Sequence, residues 1–145
     1  MINQIIIGIA QALNGAFGDD YEIHCQEIEQ DLKEPCFLIL LLNASNEQLV
    51  GDRYSRKQPF DILYFPKSKS DSRSEMYEVM NKLNDALEYI NFGEGLLRGI
   101  NMKGQIIDDV LHFFVDYNFT VIKQREKIYM QELTIKGRVK QYGNN

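Results

Sequence analysis

Ile2, Ile5, Ile6, Ile9, Leu13 and Phe17 recur at spacings of three and four, with Gln4, Gln11 and Asn14 opposite them. That period gathers the apolar set on one side and predicts a first helix, ended by Gly15 or Gly18. The β-branched run at 5–7 works against it, because such side chains lose rotamer freedom in a helix. Tyr21, Ile23 and Cys25 then alternate with Glu22, His24 and Gln26, which predicts a short half-exposed strand.

An acidic connector runs from Glu27 to Glu34, and Pro35 leads into the apolar run 36–42. Phe37, Ile39 and Leu41 point one way and Leu38, Leu40 and Leu42 the other. Both faces of that strand need cover, from helices on one side and another chain or a loop on the other. Residues 43–59 are polar and turn-rich and predict a long projecting loop, a kind of segment that is often functional. Phe60–Phe65, closed by Pro66, predicts the strand that returns to pair with 36–42.

Ser72-Arg73-Ser74-Glu75 has the form of a capping box. The stripe Met76, Val79, Met80, Leu83, Leu87 and Ile90 then predicts a second helix, stopped by Gly93. Beyond it, 96–107 and 110–122 predict a strand pair with a tight turn at Asp108-Asp109. The second strand alternates cleanly, with Leu111, Phe113, Val115, Tyr117, Phe119 and Val121 on one face. A last short strand is expected around Leu133, Ile135 and Val139. The order is roughly α-β-β-β-α-β-β(-β). It predicts an α+β fold, an antiparallel or mixed sheet with two main helices packed on one face.

The chain has 145 residues, 44% hydrophobic and 26% charged, which fits one domain over 1–145. No basic start precedes Ile5–Ile7, so a signal peptide is not expected, and no run reaches the length of a spanning helix. Two cysteines outside any CxxC spacing predict reduced thiols in a core. A formal net charge of −5 argues against coating nucleic acid.

Catalytic chemistry finds little support. His24 and His112 lie on polar strand faces outside any metal spacing, and His24 and Cys25 point to opposite faces. Cys25 and Cys36 both read as buried strand residues without an activating base. Gly93-Glu94-Gly95 with Gly99 follows a helix and precedes a strand, the wrong order for a phosphate loop. Asp19-Asp20 and Asp108-Asp109 serve as turn residues. No catalytic, cofactor-binding or metal site is therefore expected, and no cofactor.

Charge is segregated instead. Residues 19–34 carry seven acids and one base, 53–73 six bases and two acids, and 123–140 six bases and two acids. Solvated loops fit that pattern. So does an acidic patch on one copy meeting a basic patch on the next, a head-to-tail contact that closes into a ring when the rotation permits.

Glu34-Pro35-Cys36-Phe37-Leu38-Ile39, Arg53-Tyr54 and Pro59–Pro66 resemble the tail terminator family of Firmicutes phages and phage-like particles. Leu111–Tyr117 and Met130-Gln131-Glu132-Leu133 resemble it too, so the likeness spans nearly the whole chain. It implies a structural protein, not an enzyme. Such a protein forms a hexameric ring on the last ring of the tail tube, stops tube growth, and offers a surface for head joining or the sheath end. The expected partners are further copies of the chain, the tail tube protein, and sheath or head-connector proteins. No nucleic acid or membrane is expected among them. The expected location is the bacterial host cytoplasm during assembly, then the tail end of the particle. For this chain the expected interface is Arg53, Tyr54, Arg56 and Lys57 in the loop, with Arg125, Lys127, Met130 and Leu133 in a basic C-terminal arm (123–145). The complementary acids are Glu27, Glu29, Asp31 and Glu34. Two alternatives stay open: another connector or head-closure component, and a small α+β ligand-binding protein or enzyme.

Overall fold

In the computed structural model, which describes residues 1–27 and 32–123, the isoleucine stripe forms α1 (Ile2–Phe17). It buries Ile5, Ile9 and Leu13 completely and ends at Gly18, whose N–H donates to the Asn14 carbonyl. The helix forms against its β-branched content because packing of an apolar face outweighs local propensity. β1 (Glu22–Cys25) then runs parallel to β2 (Cys36–Leu41).

β2 pairs antiparallel with β4 (Arg53–Phe65), Leu41 opposite Phe60 and Cys36 opposite Phe65. β4 begins seven residues before the predicted Phe60, and this changes the reading of 43–59. That segment is not a loop. β3 (Ser45–Gln48) pairs with the first part of β4, so the projection is a β-hairpin turned at Leu49–Asp52. Gly51 sits in the left-handed region at φ 68° at that turn.

α2 (Ser72–Ala86) packs Met76, Val79 and Leu83 on the same sheet face as α1. The capping box does not form. Asp71 is the N-cap without a side-chain cap bond, and the Glu75 carboxylate instead accepts from the Lys67 and Ser68 amides and the Tyr64 hydroxyl. Three charge-assisted bonds tie down the β4–α2 loop, outweighing one reach back to a cap.

The predicted second helix also stops early. Ile90 belongs to β5 (Tyr89–Phe92), which pairs with β6 (Gly95–Ile107), and Gly93 turns that hairpin at φ 60°. β6 joins β7 (Val110–Ile122) through Asp108 and Asp109, both left-handed, as the tight turn required. The order is thus α-β-β-β-β-α-β-β-β. The sheet runs β1-β2-β4-β7-β6-β5, with β3 extending one edge of β4 beyond β2.

All of the predicted one-face set of β7 from Leu111 to Tyr117 is buried, alongside Phe60, Ile62 and Tyr64. Two glycines allow the helices to sit close. A Cβ on Gly8 would overlap the Asn91 carbonyl of β5, and one on Gly99 would meet the Leu87 carbonyl at 2.5 Å. The cysteines part company: Cys36 is buried as expected, but Cys25, at the end of an edge strand, is exposed. The expected strand around Leu133, Ile135 and Val139 lies outside the described residues.

Candidate functional site

β4 outruns the core. Its C-terminal half carries Phe60, Ile62 and Tyr64 beneath the helices, whereas its N-terminal half projects with β3 and the end of β7. Pairing continues to Arg53 opposite Ile122, and the Lys123 amide donates to the Asp52 carbonyl at 2.8 Å. The tip is apolar and open: Val50 is 88% exposed and Ile122 66%, with Leu49 beside them. Lys123 lies 4.5 Å from the centre of the Tyr54 ring, a cation–π contact that stiffens the base of the tip.

The four expected interface residues of this segment do not form one patch. Strand alternation puts Arg53 and Lys57 on the face away from the helices, while Tyr54 and Arg56 continue the core-facing row of Phe60. Arg53 and Lys57 are exposed; Tyr54 and Arg56 are half-buried. Arg125, Lys127, Met130 and Leu133 lie outside the described residues, as do Glu29 and Asp31. Glu27 is exposed. Glu34 is engaged within its own chain, its carboxylate 2.7 Å from Lys69 Nζ. At that point the acidic and basic stretches meet inside one subunit.

Gln58 lies within 43–59, which the sequence predicts as a loop, and so carries no expected role. It is 3% exposed, and its buried Oε1 has no hydrogen-bond partner. The signal existed: Tyr54, Arg56, Gln58, Phe60, Ile62 and Tyr64 share one alternation, with polar groups in what becomes a core register. Gln58 and Arg56 line a cleft of about 590 Å3 where the row runs out from under α1, together with Met1, Ile2, Asn3, Ala44, Ser45 and Asn46. Arg56 Nε donates to Asn46 Oδ1 at 3.1 Å, and its Nη1 donates to Met1 Sδ at 3.3 Å.

On the opposite face, His112 Nδ1 lies 2.8 Å from Asp61 Oδ2, and the imidazole stacks on Phe114. His112 is therefore a half-buried partner, not a solvated side chain. Burial pushes the Asp61 carboxyl up from its ordinary value, and the hydrogen bond and charge of His112 pull it back part of the way. Cys36, Leu38 and Leu63 are buried on this face too, so the two-sided burial expected over 36–42 holds for 36–39 only; Leu40 and Leu41 are partly buried and Leu42 is exposed. Among the described residues, no group of three or more His, Cys, Asp or Glu could hold a metal, and no helix is long and apolar enough to cross a membrane.

The fold is an α+β core from which a long sheet is carried outward into a basic, apolar-tipped hairpin. The model of the phage tail terminator protein family matches residues 4–129, and the chain belongs to that family. It is a structural protein of phage tail assembly, not an enzyme. No curated protein matches it. One solved structure aligns over 87% of this chain and 98% of its own, at 10% identity and a TM-score of 0.45.

Proposed function

We propose that the protein closes a growing tail tube as a hexameric ring, binding the last tube ring with one rim and refusing further tube subunits with the other. The observation that carries this reading is the projecting hairpin. A monomer gains nothing by exposing Val50, Leu49 and Ile122 together at a tip flanked by Arg53, Lys57 and Lys123. Apolar tips rimmed by charge are the form a protein–protein contact takes, the apolar part giving affinity and the charges register. Arg53 and Lys57 face one side of the hairpin and Tyr54 and Arg56 the other, so one element can touch two neighbours, tube below and ring subunit beside. The remaining rim then serves the head connector or the end of a sheath.

Reversing Arg53 and Lys57 to Glu tests the tube-facing side. The expected result is unchanged circular dichroism, rings still seen by negative-stain electron microscopy, and lost capping of tubes. Tubes capped as before by that variant would contradict the assignment. Native mass spectrometry of the purified wild-type protein should show six-fold species.

A further inference from the structure

The sheet face away from the helices carries a row of cations that the chain leaves unpaired. Arg53 and Lys57 stand on it from β4, and Arg98 and Lys103 from β6, all exposed. None makes an ion pair among the described residues; Lys103 lies over the Phe114 ring, 5.6 Å from its centre. The acids beside them are already held, Asp61 by His112 at 2.8 Å and Asp116 by the Asn101 amide at 2.9 Å. From Arg53 to the row shared by Asp61, Phe114 and Lys103 the face runs about 27 Å. Like charges gathered on one side repel one another unless something of opposite sign lies against them. The strand pair is irregular at one end of this row. The register of β6 on β7 shifts between Ile100 and Lys103, a bulge at which Asn101 takes a left-handed φ of 54°. Bulges re-aim the side chains around them. Beside this one lies a cleft of about 350 Å3, whose lining includes apolar Leu42, Pro59 and Phe114 and polar Lys103, Gln105 and Asp116.

We infer that this face is the tube-binding surface, and that it takes an acidic segment of the tube protein with one apolar side chain as its anchor. The anchor enters the cleft against Leu42, Pro59 and Phe114. Carboxylates flanking it meet Lys103 and Arg98, then Lys57 and Arg53 toward the hairpin. Asp116, at the cleft, is thereby met by the anchor and not by a carboxylate. A nucleic-acid strand fits less well, because it carries a charge on every unit and cannot leave such a gap. Continuity favours the tube over a second copy. Arg53 and Lys57 form the tube-facing side of the hairpin in the reading above, on which this inference rests, and Arg98 and Lys103 extend that same side.

The test measures binding of wild type and variants to preformed cognate tubes by co-sedimentation. Arg98→Glu and Lys103→Glu leave the hairpin untouched, and each should weaken binding about tenfold or more, with rings still seen by electron microscopy. Gln105→Tyr, which fills the cleft without changing charge, should weaken it as well. Wild-type binding should fall as salt rises. Arg73→Glu makes the same charge change at an exposed site on α2 and should bind as wild type does. Where a reversal lowers the melting temperature, Arg98→Gln and Lys103→Gln replace it, with the same direction expected. Face variants that bind tubes like wild type, or an Arg73→Glu that loses as much, overturn the inference and leave the capping reading standing. Reversals that break the ring make the face a contact between copies and overturn it too. So does wild-type binding of a labelled single-stranded oligonucleotide at physiological salt that the same reversals abolish. A wild-type chain that binds no tube overturns both readings.

Discussion

The two ends of α1 are built on different principles. Its C-terminal end is sealed by aromatics: Phe17 packs 4.9 Å from Phe37, Phe37 lies 5.0 Å from Tyr64, and Tyr21 touches all three. Its N-terminal end rests on Arg56 and Gln58, at a cleft open to solvent. One helix thus carries a finished core at one end and unsatisfied polar groups at the other. Stability belongs to the sealed end, where rings exclude water from each other. The open end instead leaves a buried acceptor unpaired, so substitutions at the two ends should shift stability in opposite directions.

The largest effect is expected at the sealed end. Phe37→Ala removes a fully buried ring from the centre of four aromatics and should cost about 3–5 kcal/mol by urea unfolding. At the open end the sign should reverse. Gln58→Leu removes an unpaired buried acceptor, and the same urea series should show stability held or raised by about 1 kcal/mol. A loss as large as that of Phe37→Ala would erase the distinction between the ends.

Acid should expose the sealed end further. Burial works against the charge on Glu75, but the bonds from Tyr64, Lys67 and Ser68 prevail and hold its carboxyl below the ordinary 4.5. The unfolded chain therefore takes up this proton more readily than the folded one. Its stabilisation is complete above 4.5 and is lost as pH falls through the lower folded value. Urea midpoints measured on both sides of that window should fall less for Glu75→Gln than for wild type. Smallest of all is Lys69→Ala, which breaks an exposed pair with Glu34 and should leave the thermal midpoint where it was.

Legibility in the sequence followed burial. β7 and α1 were readable because each buries one face, and one-sided burial is what writes a period into a sequence. β3 buries nothing, all four of its residues being exposed, so it left no alternation and is held by backbone pairing with β4. β5 was hidden for another reason. Ile90 follows Leu83 and Leu87 at helical spacing and does reach the core, but from a strand after the helix has ended. The Ser72–Glu75 motif was visible and still misled, because Glu75 found three better donors across the loop. Charge counting marks 53–73 as basic, yet the division of Arg53, Tyr54, Arg56 and Lys57 between two strand faces follows only from β4 being one strand. Gln58 was missed for that same reason.

The proposed role of this chain, ending tail tubes, can be measured directly. Its cognate tube protein, polymerised alone and with the terminator added, can be measured by electron microscopy as a distribution of tube lengths. Tubes should shorten at increasing terminator concentration, each carrying a ring at one end. Lengths that do not change, on tubes whose ends bear no added density, would contradict it.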